Sequence, residues 1–384
     1  NNRGVVQPAG MDRYNVRLNA DINLFENANL AVNVGFSRID RDMIDDGVNP
    51  VSSPTWIAQI KSPILYPYNY TTLGTPTEDF EYYDIFGVSN PGGVIQYSNN
   101  TMKKNSFNIS LRPEFFINKN LRISEHFDYN MYKTNEDYYR PYLFTSPIMI
   151  EGKGLSENAS MSQIIRSSSV YSDTRADYNL KIDDHQFDIF GGICYMMNTF
   201  QSDYVEGHNS YSNSVVNLPA NFKFMRTDGI NDLYKSLSYY ANVSYNLQNK
   251  YLADVALSVD GSSRFGSETK SGFQLFGHSW GVFPSLNLAW LMSSERFMQS
   301  AEAVDLLKLR ASVSLTGNDD IPDYLNNVYF TSVRFKDGAN GAVLNALENS
   351  EIQWETSLKA DLGADVNLFN DRLNMTADLY YSNT

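Results

Sequence analysis

The chain carries one cysteine, Cys194, in 384 residues. A single thiol excludes an internal disulfide framework and a cysteine-based metal cluster. The histidines are also few. His126, His185, His208 and His278 stand singly, and none has the spacing of a helical zinc site. Long apolar runs are missing as well, so a transmembrane helix of the usual 18 residues or more is excluded. Basic residues are outnumbered, 30 Lys and Arg against 44 Asp and Glu, which disfavours nucleic acid as a partner. No secretory leader opens the chain at Asn1. The chain stops at Thr384 inside a strand-like pattern, and it is read as an internal piece of a longer protein.

What the chain has is period-two alternation. In residues 236–262, Leu237, Tyr239, Ala241, Val243, Tyr245 and Leu247 point one way, and Ser238, Tyr240, Asn242, Ser244 and Asn246 the other. A turn at Asn249-Lys250 leads into Tyr251, Ala253, Val255, Leu257 and Val259, which alternate with Asp254, Ser258 and Asp260. Similar segments cover 13–24, 30–38, 107–115, 121–133, 168–182, 186–201, 280–291, 306–316, 352–369 and 372–384. The expectation is one all-β domain over 1–384, an antiparallel sheet of about twelve strands. A helical turn is expected within 293–305.

Two regularities select a transmembrane β-barrel over a soluble sandwich. Short turns alternate with long loops, at about 40–101, 135–166, 205–234, 261–279 and 317–350, as in outer-membrane barrels. The polar phase carries Arg17, Asp21, Arg112, Glu114, Lys308, Arg310, Lys359 and Asp361, which suits a wet lumen. In the apolar phase, aromatics gather at strand ends: Tyr14, Phe36, Tyr239 and Tyr381 on the loop side, Tyr251 and Trp290 on the turn side. These read as the two interfacial girdles. The turn side is then periplasmic and the loops are exterior, in a multi-pass protein of a Gram-negative outer membrane.

The chemical motifs are weak. Gly277-His278-Ser279-Trp280-Gly281 matches the nucleophile elbow of esterases, but that turn needs a strand before it and a helix after it. Here a strand follows and contains Pro284, so no enzyme is expected. Acidic stretches at Asp42–Gly47 and Asn318–Asp320 offer clustered oxygens to Ca²⁺. Neither fits a regular calcium loop, and both read as solvated turns; no metal or cofactor is implied. The first long loop concentrates aromatics: Trp56, Tyr66, Tyr68, Tyr70, Phe80, Tyr82, Tyr83 and Phe86. They suit stacking on sugars, gripping a peptide or meeting a docked partner. Packing among themselves inside a folded loop explains them equally.

Four strings then converge. They are Val259-Asp260-Gly261-Ser262-Ser263-Arg264-Phe265-Gly266; Trp280-Gly281-Val282-Phe283-Pro284-Ser285 with Ala289-Trp290; Leu307–Ser312 leading to Thr316-Gly317-Asn318; and Trp354-Glu355-Thr356 followed by Leu368–Leu373. In this order they resemble the SusC/RagA-type TonB-dependent transporters of the outer membrane, most densely over 236–384. The resemblance implies a barrel of about 22 strands around an N-terminal plug. It also implies a SusD-like lipoprotein lid, and TonB acting through a box before the plug. The cargo would be oligosaccharides, or peptides in some members. Plug, box and final strands are absent from these residues. Arg17, Arg112, Arg264, Arg310 and Lys359 are the candidates for lumen or plug contact. Trp56, Tyr66, Tyr68, Tyr82 and Tyr83 are the candidates for cargo or partner contact. A passive porin, or a soluble carbohydrate-binding sheet, are the rival readings.

Overall fold

The computed structural model describes the chain except positions 1, 5, 7, 212–221, 267–271, 276–277, 299, 335–339 and 348. Twelve long strands form one antiparallel meander. They are β1 (Gly10–Phe25), β2 (Ala28–Asp42), β3 (Asn99–Phe116), β4 (Leu121–Arg140), β5 (Ala159–Ile182), β6 (His185–His208), β7 (Phe224–Leu247), β8 (Tyr251–Ser262), β9 (His278–Leu291), β10 (Val304–Asn318), β11 (Glu355–Leu368) and β12 (Leu373–Asn383). Each pairs with the next along the chain. The sheet is open: a two-residue strand, Asn2–Arg3, touches the outer edge of β1, and β12 ends the order.

The register carries the apolar phase across the sheet. Tyr178, Ile189, Val243, Val255, Leu286, Val313, Ala360 and Tyr381 are successive cross-strand partners from β5 to β12. Val16, Phe36, Phe107 and Met131 do the same from β1 to β4. Antiparallel partners share a face, so one surface is apolar and the other holds the charges. Outward side chains stay exposed, Leu18 at 61% and Leu362 at 59%, which a lipid-covered surface requires. Within the apolar band a carboxylate breaks this face. Glu125 is in phase with Ile123 and Phe127, and its oxygens accept from the hydroxyls of Ser172, at 2.7 Å, and Thr174.

Turns are short on one side. Asp183-Asp184 closes β5–β6, with Asp183 at φ +50°. The β7–β8 turn is three residues, not the two expected. Gln248 and Asn249 both adopt φ near +56° before Leu247 pairs with Tyr251. The β9–β10 connection holds two short 3-10 turns, Met292–Ser294 and Arg296–Met298, where a helical turn was expected.

On the other side the strands outrun the sequence reading. β4 continues to Arg140 and β5 starts at Ala159, so pairing occupies both ends of the loop expected at 135–166. β6 and β7 likewise extend to His208 and back to Phe224. A tilted strand spans the membrane in about 9–11 residues, so 24-residue strands project well beyond it. There both faces are wet, the alternation fades (Thr134-Asn135-Glu136-Asp137), and only the backbone ladder remains. The first loop contains α1 (Pro54–Ile60) and α2 (Pro91–Tyr97). Each starts with proline at its first turn and a capping side chain, Ser53 or Asn90. Fully buried residues sit mainly at this loop end, among them Ile57, Val94, Ser53, Ser89, Asn90 and Arg140.

Candidate transport surface

The charged face is a lining whose groups largely satisfy one another. Asp254 accepts from Asn242 (2.9 Å), Ser244 (2.6 Å) and Asn287 (3.3 Å). Arg122 spans Glu114 and Asp177 at 3.5 and 3.2 Å. Arg175 lies 3.8 Å from the centre of the Phe190 ring and pairs with Asp177. The Tyr240 hydroxyl donates to Asp173 at 2.6 Å. Arg310 is held by Asp365 and Asp378, each at 2.9 Å. Arg17, Arg112 and Lys359 differ. They are exposed on the same face, and none forms an ion pair with another described residue. The five cations singled out in the sequence thus divide into three available ones and two, Arg310 and Arg264, already engaged.

Arg264 sits at the loop-side mouth. Its guanidinium meets Asp323 at 2.8 Å, donates to the Asp319 carbonyl at 2.8 Å, and lies 4.5 Å from the Tyr234 ring centre. Burial works against its charge, yet the Asp323 hydrogen bond and the attraction of Asp323 and Asp319 together outweigh it and raise the pKa above the ordinary guanidinium value. Tyr234 donates to Asp319 at 2.9 Å. Arg264 therefore fastens the 317–350 loop to the end of β8. Beside it opens a cavity of about 430 Å³ bordered by Met196, Asn198, Phe200, Asp232, Tyr234 and Asp319.

The recurring strings of the sequence meet at this mouth. Phe265 and Phe283 pack on Trp354, with ring centres 4.7 and 5.1 Å apart. The Phe283 ring covers Gly317, where an added Cβ would fall 2.1 Å from its Cζ. A Cβ on Gly266 would fall 2.4 Å from the Ser350 carbonyl oxygen. Glycine at both positions admits the close approach. Ser279, by contrast, is 3% exposed within β9, which continues as strand to Leu291. The helix that a nucleophile elbow needs does not follow it. Gly277 of that string lies outside the described residues.

The first loop is a folded body. Tyr66, Tyr68 and Tyr70 cluster at 5.2–5.6 Å, and Tyr68 stacks on Phe80 at 5.2 Å. Phe144, from the β4–β5 loop, enters among Phe80, Tyr82 and Tyr97 at 5.9, 5.5 and 4.7 Å. Asn90, fully buried, donates to the carbonyls of Pro67 and Glu81 and accepts from Gly92 and Gly93. Lys61 pairs with the buried Asp84 at 3.3 Å. The aromatics do pack among themselves, yet Tyr66, Tyr82 and Tyr83 keep 40–50% of their surface exposed. Tyr68 and Trp56 are half-buried, Trp56 within α1.

Sequence reasoning missed the polar clasp that joins the next two loops. Arg140, 2% exposed, donates to the carbonyls of Ser146, Ser156 and Glu157 and to the Ser156 hydroxyl. Burial lowers its pKa. The Ser156 hydroxyl meets His208 Nδ1 at 2.9 Å, and His208 Nε2 meets Glu206 at 3.3 Å. Asn158 and Ser210 exchange hydrogen bonds through backbone and side chain. The His208 hydrogen bond holds the Glu206 carboxyl below the usual range. Burial, then the bond to Glu206, pushes Tyr204 up to about 12. These are ordinary loop residues in the sequence, and only folding brings them together.

An open antiparallel meander with one apolar face, two aromatic girdles and loops folded on one side is the wall of a transmembrane β-barrel. The comparisons agree. The family described as TonB dependent receptor-like, beta-barrel, matches residues 58–384. The chain belongs to this family of outer-membrane barrels. TonB-dependent receptor P3 of Formosa agariphila is 25% identical over 393 residues, covering 98% of this chain and 37% of its own length. TonB-dependent receptor SusC of Bacteroides thetaiotaomicron is 29% identical over 155 residues, 38% of this chain and 15% of its own. The RagAB peptide importer in its closed-closed state superimposes with a TM-score of 0.71 at 19% identity, over 97% of this chain and 40% of that one. The SusC/RagA-type resemblance is borne out, and the chain spans well under half the length of these relatives. Among the described residues no helix is long and apolar enough to cross a membrane.

Proposed function

We infer that residues 1–384 form one unit of the wall and mouth of a SusC/RagA-type importer in a Gram-negative outer membrane. Uptake of oligosaccharides, or of peptides, is energised by TonB through a plug held in the lumen. A SusD-like lipoprotein covers the loop side. The observation that carries this reading is the mouth. Loops that would be loose in a diffusion pore are tied down, the first loops to one another by Phe144 and Arg140 and the 317–350 loop to the end of β8 by Arg264; the first presents partly exposed tyrosines, and a polar cavity opens beside Arg264. A fixed aromatic surface suits selective capture of a ring or chain before import. Arg17, Arg112 and Lys359 offer unpaired charge to the plug, while Tyr66, Tyr82 and Tyr83 offer ring faces to cargo or lid. Trp56 and Tyr68 support that surface from within. The test is uptake of labelled oligosaccharide and peptide mixtures by cells with the complete receptor, with and without TonB. Uptake should be TonB-dependent and reduced about thirtyfold or more by Tyr66→Ala with Tyr82→Ala, taking one to three kcal/mol per stacked ring as the guide. Equal uptake without TonB, or swelling of liposomes by the complete receptor, would favour the passive porin instead.

A further inference from the structure

The apolar face is not smooth. At the turn end of β7–β11 the register alternates large and small side chains: Tyr245, Ala253, Leu288, Ala311 and Leu362 are successive partners on the outward face. The two alanines leave notches between the larger groups. Together they make an outward groove of about 520 Å³, with Tyr251 and Trp290 at its turn end. Its lining is nearly all aliphatic or aromatic.

The turn below the groove is polar and anchored to it. Glu295 accepts from the Tyr251 hydroxyl at 2.5 Å and from Trp290 Nε1 at 3.3 Å, and it pairs with Lys250 at 3.6 Å. The Phe297 ring, 62% exposed, lies 6.5 Å from the Trp290 ring. Next to it, Arg296 is exposed and forms no ion pair with another described residue. A cation at the aromatic girdle stands at headgroup depth, while the groove begins within the hydrocarbon.

We propose that this groove and Arg296 form a specific phospholipid site: one acyl chain lies along Ala253 and Ala311, and the phosphate meets the Arg296 guanidinium at the short-turn leaflet. Depth and charge select the occupant. Within the apolar band the surrounding medium is acyl chain. At the girdle the unpaired Arg296 guanidinium calls for an anion, and the lipid phosphate is the anion fixed at that level. Packing against the notches gives the chain van der Waals contact that a smooth wall does not, and Arg296 adds an electrostatic attachment.

The site rests on the membrane-barrel reading, and the experiment separates the two. The complete receptor is purified in mild detergent, and the phospholipid retained per barrel is counted by native mass spectrometry. Heat-modifiable migration is followed in parallel. Ala253→Phe with Ala311→Phe fills the groove, Arg296→Ala removes the charge, and Ala20→Phe adds one such ring to the outward face of β1. Arg296→Ala should lower occupancy about fivefold, the effect of one cation near a lipid surface. Filling the groove should abolish retention of one lipid, and Ala20→Phe should leave the count unchanged. All forms should remain heat-modifiable. Equal counts in all four proteins would overturn the site. So would equal retention of diacylglycerol, which has the chains without the phosphate. Loss of heat-modifiable migration already in the parent protein would instead refute the barrel.

Discussion

At the scale of single residues, phase decides what a side chain does. Glu125 is the telling exception, because its neighbours in phase, Ile123 and Phe127, belong to the outward face. Ser172 and Thr174 supply hydroxyl donors to both its oxygens, which reduces the cost of a carboxylate facing lipid without removing it. Glu125→Leu should therefore stabilise the complete barrel by about 1 kcal/mol, below the 2–4 kcal/mol reported for lipid-facing basic residues. Equilibrium unfolding from lipid vesicles measures it, and a loss of stability would mean that Glu125 contacts another group in the membrane. The phase itself is tested at Leu18 and Asn19, adjacent and both exposed. Asn242 is a poorer probe of the lumen side, being 8% exposed and bonded to Asp254. Leu18→Arg should cost about 2–4 kcal/mol of barrel stability and Asn19→Arg almost nothing. Equal losses would show the phase to be inverted.

At the scale of elements, the long strands couple the membrane wall to the loops. From Tyr251 to Val259, the partner of Tyr239, β8 rises about 27 Å along its length, or about 20 Å of height at a tilt near 40°. That separation between turn-side and loop-side aromatics fits the apolar band of an outer-membrane barrel. β5 and β6 run on far above it and end in the clasp of Arg140, Ser156, His208 and Glu206. The folded-state pKa of Glu206 is depressed by the His208 hydrogen bond. A depressed carboxylate gives stability that is complete above its unfolded pKa, about 4.3, and lost as pH falls through the lower folded value. Amide exchange across residues 141–158 should thus stay slow at pH 6 and quicken only as pH drops below about 4. Glu206→Gln should remove that acid sensitivity. An unchanged acid transition in Glu206→Gln would assign it to another group.

At the scale of the molecule, the open sheet sets the limits. β1, apart from its contact with Asn2–Arg3, and β12 leave their outer ladders unpaired among the described residues. In lipid each unmet backbone group costs several kcal/mol, and the charged inner face does not collapse into a dry core. Residues 1–384 expressed alone should therefore give no heat-modifiable, protease-resistant band in detergent; finding one would show that the sheet closes on itself. Sidedness has its own probe. Asp320, 92% exposed by its side chain, lies in the loop after β10. With Asp320→Cys in the complete receptor, a membrane-impermeant thiol reagent should label intact cells. Labelling only after the outer membrane is breached would reverse the topology.

The sequence by itself determined the class, the twelve strands and the side of the short turns. Alternation, turn residues and girdle aromatics are local signals, and lipid on one face with water on the other keeps them legible. It also carried the family, because Gly266, Gly317, Phe283 and Trp354 are required where backbones and rings meet closely. Ser53-Pro54 and Asn90-Pro91 announced α1 and α2 to a closer reading. Only the tertiary structure decided how far the strands project, since above the membrane both faces are wet and the period disappears. It alone separated Arg310 and Arg264, consumed by distant aspartates, from Arg17, Arg112 and Lys359. It alone brought Phe144, Arg140 and His208 into the mouth and opened a groove between Ala253 and Ala311. Those outcomes depend on which residues face each other across strands and loops, and that pairing is written in no local stretch of the chain.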